Sequence, residues 1–262
     1  MVARYAVIVL AGGAAQRLGG RDKPALPVGG RPMLDRVLAA ASGATRRIVV
    51  GPARAGVPAD VIQVREEPPG GGPVAALAAG LVALARGEWI VAGETRKTGP
   101  ADQLSRPGDP ERAVGEGDGL VAVLAADLPF LIGADIDALR DAVGAGGEST
   151  GALDTDAMAA DAMAAHAMAA DAVGGAVTGG GATGELDGAV LVDAAGRPQW
   201  LCAVYRVAAL RRRLGELGPP AGQSVRQLVA GLRLATVVRA STPPPWYDCD
   251  TEDDYRRAEE LA

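Results

Sequence analysis

Apolar residues fall along the chain in two rhythms. Short, almost wholly apolar runs, Tyr5–Leu10, Arg47–Gly51, Asp60–Val64 and Gly119–Ala125, each stop at a turn. Runs of this length, rich in Val, Ile and Leu and without polar alternation, read as strands covered on both faces, as in a parallel sheet. Between them Met33–Ala41, Val74–Ala85 and Ala134–Val143 carry apolar residues at helical spacing, and Pro73 suits the first turn of the second helix. Strands alternating with helices predict an α/β fold, a three-layer α/β/α sandwich around a mostly parallel sheet.

The rest of the chain adds a second kind of pairing. Gly188–Asp193 and Gln199–Tyr205, joined by Ala-Ala-Gly196-Arg197, predict a small antiparallel hairpin. Helices follow at Val207–Leu217 and Ser224–Ala230, with Ser224 placed to cap the second, then a strand at Leu234–Val238. Trp246–Asp250 reads as a strand end before a helix opened by Thr251, whose first turn carries Glu252, Asp253 and Asp254 at the positive end of the dipole.

Two stretches break the pattern. Residues 94–118 are polar, rich in Pro and Gly and without period, and residues 147–184 collapse into Ala-rich repeats. Both read as flexible insertions in a single domain spanning 1–262. The repeats place Asp156, Asp161, His166 and Asp171 five residues apart. A five-residue step turns a helix by about 140°, which spreads these side chains around it and argues against a metal-binding comb.

Composition narrows the function classes. Apolar residues make up 48% of the 262 positions, with aromatics at only 3%, so the core is aliphatic and closely packed. The net charge of −6 argues against nucleic acid or an anionic membrane as the main partner, although a cleft lined by a few cations would still suit a phosphorylated small molecule. The two cysteines, Cys202 and Cys249, have neither disulfide-framework nor zinc-site spacing. With no signal segment or apolar span, a cytoplasmic location is expected.

In open α/β sheets, ligands sit beyond the carboxyl ends of strands. Three features lie there: the glycine stretch Leu10-Ala11-Gly12-Gly13 leading on to Arg17 and Lys23, the tip Asp127, and the pair Asp248 and Asp250. Backbone donors with cations suit a polyphosphate, and separated carboxylates suit a divalent metal bridging to it. Together they describe a nucleoside triphosphate site. The glycine spacing fits neither a dinucleotide-binding G-x-G-x-x-G nor a phosphate loop ending in G-K-[ST].

What it does fit is L-A-G-G-x3-R-x-G-G-x2-K over residues 10–23. Here the chain resembles the GT-A-type nucleotidyltransferases, most closely the molybdenum cofactor guanylyltransferases. Gly71-Gly72-Pro73-Val-Ala-Ala-Leu-Ala-Ala-Gly80-Leu is similar to their G-P-L-A-G-I-x-x-G-L, Ala126-Asp127-Leu-Pro-Phe130 to C-D-M-P-F, and Asp248-Cys-Asp250-Thr-Glu-Asp to N-x-N-T-P-E-D. The likeness is colinear from residue 4 to 258 outside the two insertions. It implies a Rossmann-like (GT-A) sheet and Mg2+-dependent transfer of GMP from GTP to molybdopterin, with transient contact with proteins that donate or accept the cofactor.

Carried over residue by residue, the likeness assigns Leu10, Ala11, Gly12, Gly13, Gly72 and Pro73 to the nucleotide. Arg17 and Lys23 take the triphosphate, Asp127 the magnesium, and Glu67 the position of an acid that reads the guanine. One departure matters. Asp248-x-Asp250 replaces Asn-x-Asn and looks like the cytidylyl-transferring relatives, which makes Asp250 a second metal ligand and brings CTP, or transfer to phospholactate, into consideration. A protein that binds nucleotide without catalysis is a further alternative, disfavoured by the intact Arg17, Lys23 and Asp127. Taken alone, Asp127 is an ordinary turn residue, and Cys202, Trp200 and Tyr205 are ordinary strand packing.

Overall fold

The structure, a computed structural model, describes residues 4–13, 21–86, 89–91, 94–96, 119–145, 152–154 and 185–262. The chain opens with β1 (Tyr5–Leu10), buried along its whole length. A small ribbon follows, β2 (Pro27–Val28) and β3 (Arg31–Pro32), and then α1 (Met33–Ala40), β4 (Arg46–Val50), β5 (Val61–Val64) and α2 (Pro73–Arg86). After the short pair β6 (Trp89–Val91) and β7 (Glu94–Arg96) come β8 (Leu120–Ala125), α3 (Gly133–Gly144) and β9 (Ala152–Asp154). The last third holds β10 (Gly188–Val192), β11 (Pro198–Arg206), α4 (Val207–Leu217), α5 (Val225–Val229), β12 (Arg233–Val238) and α6 (Glu252–Leu261).

Eight of these strands form one sheet in the order β5-β4-β1-β8-β11-β10-β12-β9. The first four run parallel, β11 lies antiparallel between β8 and β10, β12 is parallel to β10, and β9 reverses again at the edge. The mostly parallel sheet with a small antiparallel hairpin is the expected one, and the hairpin is β10–β11.

The alternation of β1 divides the core. Val7 and Val9 face a cluster with Leu34, Val37 and Leu38 of α1 and Ile136 and Leu139 of α3. Ala6, Ile8 and Leu10 face the other, with Leu77 and Leu84 of α2, Leu210 of α4 and Leu228 of α5. That is the three-layer arrangement. The layer containing α2 is drawn in tightly at Gly80, where a Cβ would lie 2.7 Å from Cγ2 of Ile8.

Capping follows the sequence. The Ser224 and Thr251 hydroxyls accept from the amides of Gln227 and Asp254 at the starts of α5 and α6. Cys202 and Tyr205 are fully buried, and the Tyr205 hydroxyl donates to the Trp200 carbonyl at 3.1 Å, so these residues are core packing.

Four features differ from expectation. The β2–β3 ribbon is too short to announce itself by periodicity. Within 147–184, residues 152–154 form β9 against β12; within 94–118, residues 94–96 pair with 89–91. The other residues of both stretches, including the five-residue repeats, lie outside the described residues. Finally, Trp246–Asp250 is no strand. Three prolines precede it, and the Cys249 side chain sinks into a small cluster with Val28, Met33 and Ala258, so packing under α6 replaces sheet pairing. Among the described residues no helix is long and apolar enough to cross a membrane.

Candidate active site

The site is built where β1, β4 and β8 end. Past its last residue β1 still follows its neighbours: the Ala11 amide donates to the Val50 carbonyl at 2.8 Å, and the Ala126 amide to the Leu10 carbonyl at 3.1 Å. Leu10 and Ala11 are buried, whereas Gly12 and Gly13 emerge into solvent. Gly51, at the end of β4, passes so close that a Cβ there would stand 2.7 Å from the carbonyl carbon and oxygen of Ala11. Its φ of +152° also belongs to glycine. The start of the glycine stretch therefore rests on a fixed floor.

Its exit is held by charge. Arg21, Asp22 and Lys23 each pair with a different part of the chain: Arg21 with Glu252 of α6, Asp22 with Arg54 after β4, and Lys23 with both Asp127 and Asp250. Lys23 opens a single turn of 3₁₀ helix, residues 23–25, which aims its ammonium inward. Its Nζ contacts Oδ2 of Asp127 and lies 2.6 Å from Oδ1 of Asp250, with only 15% of the side chain exposed. Burial lowers the lysine pKa, but the Asp127 charge and the hydrogen bonds to Asp127 and Asp250 outweigh it and hold the value above that of a free lysine. Lys23 is thus a fixed cation at neutral pH.

The surrounding acids respond. Asp248 is exposed by surface area, yet protein atoms crowd its carboxyl; that loss of hydration, then the charges of Asp250 and Asp127, raises its pKa, with Lys23 opposing. The Cys249 thiol is pushed up to about 12, by burial first and then by Asp127.

Among the sequence-derived candidates, Lys23, Asp127 and Asp250 thus meet although they lie in three separate motifs. Arg17 lies outside the described residues. Gly72 and Pro73 start α2, and the Gly72 carbonyl accepts from the Ala76 amide at 3.0 Å. Glu67 is exposed and its neighbour Glu66 is buried. Oε1 of Glu66 accepts from the Gly70 amide at 2.9 Å and lies 3.8 Å from where a Cβ of Gly12 would be. Its Oε2 is buried with no hydrogen-bond partner. The signal separating the two acids is the two-residue alternation running past β5: Arg65 out, Glu66 in, Glu67 out.

Asp127 and Asp250 have the chemistry for a divalent metal. Among the described residues no group of three or more His, Cys, Asp or Glu side chains is arranged to hold one. Magnesium commonly takes one or two carboxylates and completes its shell with substrate phosphates and water, so the pair fits a metal that arrives with nucleotide.

The profile of the MobA-like NTP transferase domain matches residues 7–237. The chain belongs to this family. The match takes in Lys23 and Asp127 and ends before Asp248. Solved structures of MobA-like and related folds align over nearly the whole chain. Molybdopterin-guanine dinucleotide biosynthesis protein A from Archaeoglobus fulgidus superposes with a TM-score of 0.55 at 16% identity, covering 97% of each chain. A nucleotidyl transferase from Methanothermobacter gives 0.54 at 18%, covering 98% of this chain and 96% of its own. The 2-C-methyl-D-erythritol 4-phosphate cytidylyltransferase of Thermus thermophilus gives 0.54 at 19%, covering 98% of both. No curated protein matches the chain by sequence. At these identities the structures speak for the shared fold, and membership of the MobA-like family makes the chain a nucleotidyltransferase.

Proposed function

We propose that the protein transfers GMP from GTP to the phosphate of molybdopterin and releases pyrophosphate. The observation that carries this reading is the meeting of Lys23, Asp127 and Asp250 beside the open Gly12–Gly13 backbone. In this reaction an acceptor phosphate oxygen attacks the α-phosphorus, the bond to the β-phosphate oxygen breaks, and that oxygen leaves with the electron pair. The nucleophile is already ionised at neutral pH, so no general base is needed.

The chain's part is binding, alignment and charge. Gly12 and Gly13 offer amides without side chains in the way, Lys23 moves from its carboxylates onto the triphosphate, and Arg17, by its spacing, joins it against the leaving pyrophosphate. Asp127 and Asp250 hold a divalent cation, magnesium by donor type, and that ion supplies neutralisation of the phosphate charge when bound. Glu66, whose Oε1 lies near Gly12 and whose Oε2 has no hydrogen-bond partner, is better placed than Glu67 to accept from the N–H edge of guanine.

A second reading is favoured by one feature. Asp248 and Asp250 stand where guanylyl-transferring relatives carry asparagines, and the cytidylyltransferase neighbour shares the fold, which points to CTP. Thermal unfolding with GTP, CTP, ATP or UTP plus magnesium separates the readings. GTP should raise the midpoint most; stabilisation by CTP alone would overturn GTP as substrate. Adding molybdopterin should then release pyrophosphate, and nucleotide binding without release would identify a binding protein.

A further inference from the structure

Arg54 is a lone charge in a turn of the sequence, yet its side chain is only 10% exposed and each nitrogen of its guanidinium donates a hydrogen bond. Nε and Nη2 grip the Asp22 carboxylate side-on, at 2.8 and 2.6 Å. Nη2 also donates to the Ala11 carbonyl at 2.8 Å, and Nη1 to the Pro52 carbonyl at 3.0 Å. Its backbone is clamped in turn. The Arg54 amide donates to the Gln63 side-chain oxygen at 2.8 Å, and the Gln63 side-chain nitrogen donates back to the Arg54 carbonyl at 3.2 Å.

Ala11 and Asp22 are the two flanks of the glycine stretch. One adjoins the exposed Gly12 and Gly13, and the other adjoins Lys23. A single rigid guanidinium therefore joins the strand side of the phosphate-binding segment to its lysine side and ties both to β4 and β5. We infer that Arg54 is the positioning residue of this site: it touches no substrate, and it sets the spacing between the Gly12–Gly13 amides and the Lys23 ammonium so that both meet one polyphosphate. The chemistry favours arginine. Lysine has three donors on one point and cannot grip a carboxylate along its edge while reaching two carbonyls. Alignment of this kind acts on affinity and rate with little effect on global stability, because the apolar layers lie elsewhere.

The inference rests on the phosphate-binding reading of the site, and inorganic pyrophosphate with magnesium is a probe independent of base and acceptor. Calorimetric titration would compare the unaltered protein with Arg54→Gln, Arg54→Lys, Asp22→Asn and the Asp22→Asn/Arg54→Gln double variant, each with its unfolding midpoint. Arg54→Gln should bind about tenfold or more weakly, the scale of losing charge-assisted hydrogen bonds, with its midpoint within a few degrees of the unaltered protein. Arg54→Lys should recover part of the loss. Asp22→Asn should lose less than Arg54→Gln, and the double variant no more than Arg54→Gln alone, because the two residues act through one contact.

Binding by Arg54→Gln within twofold of the unaltered protein, or losses that multiply in the double variant, would overturn the inference while leaving the phosphate site standing. No binding by the unaltered protein would overturn the site and the inference together. If Arg54→Gln does not fold, Arg54→Lys and Asp22→Asn make the same comparison: affinities within twofold of the unaltered protein overturn the inference.

Discussion

Lys23 joins two of the acids of the site, and both partners come from sequence positions more than a hundred residues away. Removing it deletes the cation proposed for the triphosphate and leaves Asp127, Asp250 and Asp248 facing one another. Lys23→Ala should lower kcat/KM by about two orders of magnitude or more, the scale of losing one fixed electrostatic contact in a transition state. A variant with unaltered rates would show that the assignment is wrong.

Asp248 gives a prediction about pH. Loss of hydration, then the charges of Asp250 and Asp127, raise its pKa in the fold above that of a free aspartate, so the folded state holds its proton more tightly than the unfolded chain does. Stability from this group is present below the unfolded value and is lost as pH rises through the folded one. Asp248→Asn should accordingly raise the unfolding midpoint at pH 7, by on the order of 1 °C. The gain should vanish when the scan is repeated at about pH 2, well below the ordinary aspartate value, where the carboxyl is neutral in both states.

At this scale the sequence singled out Lys23, Asp127 and Asp250, which the fold brings together. It was silent on Arg54, and past β5 it pointed to the exposed Glu67 and not to the buried Glu66. A lone charge in a turn such as Arg54 gains meaning only from partners in space, whereas Glu66 is disclosed only when the two-residue alternation of β5 is carried past the end of the strand.

Among the secondary-structure elements, the α2 and α4 helices test packing against propensity. Replacing a helical glycine by alanine favours the helix by up to about 1 kcal/mol. At Gly80 the new methyl would meet Ile8 inside a filled layer, and overpacking of that kind destabilises by about 1–3 kcal/mol. Gly80→Ala should therefore lower stability in urea titration. Gly215 of α4 is exposed and has nothing within 4 Å of its virtual Cβ. Gly215→Ala should raise stability by about 0.5–1 kcal/mol. Equal signs at the two sites would contradict the packing account.

The βα units were legible because a strand covered on both faces and an amphipathic helix have different periods. The hairpin β10–β11 and both side-chain caps were legible for equally local reasons. The β2–β3 ribbon and β9 were not, since two or three residues carry no period and their pairing is decided by a partner strand. Trp246–Asp250 shows the converse: its alternation resembles a strand, but Cys249 finds its apolar partners in Val28, Met33 and Ala258.

Across the whole molecule, two apolar layers and a ring of charges divide the labour. Both layers lie along the strands, whereas Arg21, Asp22 and Lys23 draw α6, the turn after β4 and the tip of β8 together at one end of the sheet. The order of the strands was not legible, because the place of β11 between β8 and β10 depends on tertiary pairing.

The division makes the two parts respond differently to dissolved salt. Three of the four ion pairs at the exit have an acid in water: Glu252, Asp22 and Asp250 expose 51%, 47% and 54% of their side chains, whereas Asp127, the other partner of Lys23, exposes 18%. Screening reaches such groups, with a Debye length falling from about 10 Å at 0.1 M to about 3 Å at 1 M, while buried aliphatic contacts are not weakened by it. Raising sodium chloride to 1 M should cut turnover at saturating nucleotide several-fold and leave the unfolding midpoint nearly unchanged. Ionic strength thereby becomes a dial that loosens the working end while the fold stays intact.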